Sequence, residues 1–121
     1  MIAPKIYKDL YQVTIQIFHR TKAFPKSLRP TLGRKLEEAS LECLLSIRKA
    51  STSGPQTRLK HLYIASNALD EMRILIQVSK ELHAINVSGF SELTLLTKEV
   101  GKEIGGFIKF ENKQRHHPQG S

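Results

Sequence analysis

The stretch RLKHLYIASNALDEMRILIQVSKELH, from Arg58 to His83, decides how the rest of the chain is read. It holds no glycine and no proline. Leu62, Ala65, Leu69, Met72 and Ile76 recur at spacings of three and four, which places them on one side of an α-helix. Ile64, Ala68, Leu75, Val78 and Leu82 form a second stripe beside the first. One stripe seats a helix on one core; two stripes call for cover on two sides. A chain of 121 residues makes one domain and does not readily supply both covers, so a second subunit is expected.

Outward from this segment the pattern stays helical. Upstream, Ile6, Leu10, Val13 and Ile17 predict a first helix over Lys5 to Ala23, ended by Phe24-Pro25 because proline disfavours helical backbone in the residue before it. Ser27 or Thr31 is placed to cap a second helix, from about Leu28 to Ser51, whose core line is Leu32, Leu36, Ala39, Cys43, Ile47 and Ala50. Leu41, Leu44 and Leu45 lie off that line. Ser51 to Pro55 reads as a turn, and the third helix follows over Gln56 to Ala84, with His83 near its C-terminus. Ser88 is a candidate cap for a fourth helix over Gly89 to Phe110, with Phe90, Leu93, Leu96, Val100, Ile104 and Phe107 inward. Gly33, Gly101, Gly105 and Gly106 weaken their helices, and close approach of a neighbouring helix would explain them. The reading is all-α: an antiparallel up-down-up-down four-helix bundle over residues 1–110, with a disordered polar tail over 111–121.

Chemistry is hard to find. Cys43 sits on an apolar face, reads as a core residue, and suits a reducing cytosol. No Glu-x-x-His pair, His-Glu-x-x-His motif or cysteine pair suggests a metal, and no glycine-rich loop suggests a nucleotide. His19 and His61 read as surface or packing residues, and the Arg-x4–6-His spacing of small helical toxin ribonucleases is absent. No catalytic residue, cofactor or metal is assigned. No apolar run is long enough to span a membrane.

The charge is informative. Lys and Arg number 19 against 11 acids, a net charge of +8, which points to nucleic acid or another acidic surface. Arg48, Lys49, Arg58 and Lys60 cluster around the second turn, and Lys98, Lys102, Lys109 and Lys113 fall along one line of the fourth helix. Few aromatics are exposed by pattern. Tyr7, Tyr11 and Tyr63 read as core or interface anchors, so base stacking is expected to be minor.

Phe24-Pro25-Lys26-Ser27, Thr31-Leu32-Gly33, Leu59 through Leu62-Tyr63, Leu69-Asp70-Glu71-Met72-Arg73, Glu99-Val100-Gly101 and Gly105-Gly106-Phe107-Ile108 together resemble small four-helix-bundle proteins. That group includes proteins encoded in intervening sequences of bacterial large-ribosomal-RNA genes. It also includes Avd, the accessory variability determinant of diversity-generating retroelements, which the basic charge favours. The Avd resemblance implies a non-catalytic, cytoplasmic protein of bacterial or phage origin. It implies a homopentamer that binds reverse transcriptase and template RNA and supports mutagenic cDNA synthesis and retrohoming. Arg73 occupies the arginine position of the family's Leu-x-x-Met-Arg pattern; at Gln77, one turn on, a basic residue would be expected. The alternatives are a ribosomal-RNA intervening-sequence type of nucleic-acid-binding bundle with no polymerase partner, and a small helical ribonuclease.

Overall fold

A computed structural model describes residues 4–116. Four α-helices, α1 (Pro4–Lys22), α2 (Arg34–Thr52), α3 (Pro55–Glu81) and α4 (Val87–His116), run antiparallel with short connections. α1 packs against α2 and α4, and α3 packs against α2 and α4, so the helices form a square in chain order. No strand occurs among the described residues. The core is the expected set: Ile6, Leu10, Val13 and Ile17 meet Leu36, Cys43 and Ile47, then Leu62, Met72 and Ile76, then Leu93, Val100 and Ile104. Burial pushes the Cys43 thiol up to about 12, and its Sγ lies 3.4 Å from the Ala65 carbonyl oxygen.

Local differences from the sequence reading have physical causes. The segment before α2 is a π-helical turn, Arg29–Gly33, in which neither Ser27 nor Thr31 supplies a side-chain cap. Pro30 has no N–H to donate, and the turn closes through wider bonds such as Gly33 N–H to the Leu28 carbonyl at 2.9 Å. α4 is capped by Asn86 rather than Ser88: the Asn86 side-chain oxygen accepts the Gly89 N–H at 2.7 Å. A methyl group at Gly101 would press on Leu69 at 3.3 Å, as close packing predicts, whereas Gly105 and Gly106 face open space. The fourth helix also continues to His116. Glu111 is buried and paired with Arg58, and Arg115 donates to the Pro55 and Gln56 carbonyls, which holds these turns against α3. Residues 117–121 of the expected tail lie outside the described residues.

α3 stops at Glu81, earlier than expected, in a Schellman motif. Ala84 N–H reaches the Ser79 carbonyl and His83 N–H the Lys80 carbonyl, with His83 left-handed at φ 58°. A left-handed conformation costs a non-glycine residue about 1–2 kcal/mol. His83→Gly should therefore raise stability by about 1 kcal/mol, or roughly 4 °C in Tm. An unchanged or lower melting temperature would contradict this.

Candidate nucleic-acid interface

All Lys, Arg, Asp and Glu residues fall within the described helices and their connections, so the charge can be mapped along the bundle. The half containing the α2–α3 connection carries Lys5, Lys8, Arg48, Lys49, Arg58, Lys60, Lys102, Lys109, Lys113 and Arg115. Its only acids are Asp9, Glu103 and Glu111. The opposite half has nine basic and eight acidic residues and is nearly neutral. The bundle thus has one strongly positive end, a result of antiparallel folding that linear charge runs do not reveal.

Each acid at that end is already engaged. Lys5 Nζ lies 2.7 Å from Asp9 and 2.8 Å from Glu103. The hydrogen bond from Lys5 holds the Asp9 carboxyl below its ordinary range. The Asp9 and Glu103 carboxylates hold the Lys5 ammonium above its own. Burial raises Glu103 despite the lysine. Arg58 is a clamp: its guanidinium bonds the Ala50 and Ser53 carbonyls at 3.2 and 2.9 Å and reaches Glu111 at 3.4 Å. It fastens the α2–α3 turn to α4 and has little left to offer a ligand.

Arg48, Lys49, Lys60, Lys102 and Lys109 are exposed at this end, as expected. Lys8 and Lys113 join them, although α1 gave no sequence signal for it because Lys8 is far from the others along the chain. Lys102, Lys109 and Lys113 span about 16 Å of the outer face of α4. Lys98 lies on the same face, just inside the neutral half. Arg73 is exposed but stands apart, in a shallow groove between α3 and α4 with Asp70, Ile74, Gln77 and Phe90. The structure therefore groups five of the eight sequence-derived candidates as exposed cations, makes Arg58 a structural pin, and leaves Arg73 and Lys98 outside the group.

Tyr11, Tyr63 and Phe110 are the exposed aromatics among the described residues. Phe110 is 54% and Tyr63 46% exposed, both at the positive end. The Tyr63 hydroxyl is anchored by the Asn112 side chain at 3.3 Å. Among the described residues no group of three or more His, Cys, Asp or Glu is placed to hold a metal, and no helix is long and apolar enough to cross a membrane.

No curated protein matches the chain at a significant level. The bAvd-like family model matches residues 1–111, nearly the whole bundle, and the chain belongs to the bAvd-like family.

Proposed function

We propose that this protein is the accessory subunit of a diversity-generating retroelement, holding reverse transcriptase and template RNA together during mutagenic cDNA synthesis. The observation that carries the reading is the concentration of exposed lysine and arginine at one end of a bundle from the bAvd-like family. Cations so grouped meet successive phosphates and release their counterions, giving affinity with little sequence preference. The polymerase does the chemistry; Cys43 is buried, and burial pushes its thiol up, away from reactivity.

The adaptor acts as a homo-oligomer, with five copies the number the family suggests. Two lateral faces support association. The hydrogen bond from Thr21 to Glu37 marks where α1 and α2 face each other. Just outside that seam lie Tyr11, Ile15, Leu41 and Leu45, between 40% and 60% exposed. By helical spacing Lys8, Lys22 and Arg48 flank them on one side and Glu38 and Glu42 on the other. On α3, Ile74, Val78 and Leu82 form an exposed apolar stripe bordered by Asp70, Glu71 and Glu81. The two faces differ in shape and composition, which suits heterologous pairing and ring closure. Several copies then multiply weak phosphate contacts by avidity.

The direct test looks for a reverse transcriptase encoded beside this gene and expresses the two proteins together. The two proteins should co-purify, and template-dependent cDNA should fall to background without this chain. A polymerase that ignores the protein and works equally well alone would overturn the reading.

A further inference from the structure

A groove of about 470 Å3 opens at the positive end, where α4 runs on beyond the start of α1. Ile6, Leu62, Phe107 and Phe110 give it a largely apolar surface, and the lining is completed by Lys102 and by the Lys5–Glu103 and Arg58–Glu111 ion pairs, in which both acids are already matched by a cation. Its floor is Gly106, at which a methyl group would meet nothing within 4 Å. By helical spacing Gly106 is ringed by Lys102 and Glu103 one turn before it and by Lys109 and Phe110 one turn after it. One carboxylate oxygen of Glu103, Oε1, is buried beside the groove with no hydrogen-bond partner among the described residues.

Resting on the nucleic-acid reading, we infer that this groove takes an unpaired base of a single-stranded RNA segment. The base stacks on the exposed face of Phe110 while Lys102 and Lys109 hold the phosphates on either side. Charge complementarity selects this occupant over an apolar peptide, because exposed lysines stand at the groove's solvent edge. The flat ring and bare glycine floor suit a flat base. An amino or imino N–H of the base would satisfy the orphaned Glu103 oxygen. A base locked in a duplex cannot enter, so the groove distinguishes single from double strands, which a purely electrostatic surface does not.

Phe110→Ala tests this by fluorescence anisotropy, with an unstructured 12-nucleotide RNA and a 12-base-pair RNA duplex as probes. The variant should bind the single strand about tenfold more weakly, with duplex affinity and salt dependence unchanged. Phe110→Trp should retain single-strand affinity, and Phe110→Leu, which keeps apolar bulk without a ring, should lose it. Helical content and melting temperature control for folding, and light scattering for subunit number. Equal weakening on both probes, no weakening, or a change in subunit number with Phe110→Ala would overturn the inference while leaving the nucleic-acid reading standing. Binding of neither probe by the unaltered protein would instead remove that reading as well.

Discussion

Replacing Arg48, Lys49, Lys60 and Lys109 together with alanine is expected to weaken RNA binding roughly a hundredfold near 0.15 M salt. Each cation that meets a phosphate of a single strand contributes about 0.7 of a power in the salt dependence, so four contribute nearly three. The loss is largest at low ionic strength and narrows as salt rises, because the variant releases fewer counterions on binding. The fold should be indifferent, since all four side chains are exposed and none takes part in the ion pairs that fasten this end. Arg58 is left intact for that reason: its loss would free the α2–α3 turn from α4 and blur a binding defect with a folding one. The same quadruple variant should fail to support cDNA synthesis. Unchanged RNA affinity with a normal melting curve would remove this end from the mechanism.

The second large effect concerns assembly. Leu45→Glu on the α1–α2 face, or Ile74→Glu on α3, should convert the proposed homo-oligomer to monomers at micromolar concentration. Leu45 is 55% and Ile74 64% exposed in the single chain, so a carboxylate at either place remains hydrated and the isolated bundle stays folded. In a packed interface the same carboxylate loses its water and gains no partner, at a cost of about 3 kcal/mol or more. That is over a hundredfold in the association constant. Light scattering reads the outcome as mass, and a mass equal to that of the unaltered protein would exclude both faces from assembly.

The core was legible in the sequence because helical spacing sorts residues by face without knowledge of their neighbours. The first stripe of α3, Leu62 to Ile76, is buried throughout. The second stripe divides. Ala68 is buried by α2, whereas Val78 and Leu82 remain exposed, and Ile74, in neither stripe, is the most exposed apolar residue on the helix. Helix ends were less legible, because capping is a competition among nearby polar groups. Asn86 prevails over Ser88 at α4, and at α2 Pro30 diverts the backbone into a π turn that needs no side-chain cap.

Of the interface, the cations of α2, α3 and α4 could be found as clusters, but their convergence with Lys8 at one end appears only on folding. The role of Arg58 was invisible because a clamp and a free cation have the same sequence signature. Phe110 was read as the end of a helix; α4 continues past it, held by Glu111 and Arg115, and the ring stands at the edge of a groove. Gly105 and Gly106 were expected to admit a neighbouring helix, and no helix of this chain approaches them. They face outward, which makes Gly106 a floor for something else.

The claim on which the account turns is that RNA lies on one end of the bundle rather than over the whole basic protein. It is tested most directly by salt titration of RNA affinity for two variants with equal loss of charge. One lacks Arg48, Lys49, Lys60 and Lys109; the other lacks Lys22, Lys26, Arg34 and Lys35 at the opposite end. The account predicts a weaker affinity and a shallower salt slope, by nearly three units, for the first variant, with the second close to the unaltered protein. Equal losses in the two variants would contradict it.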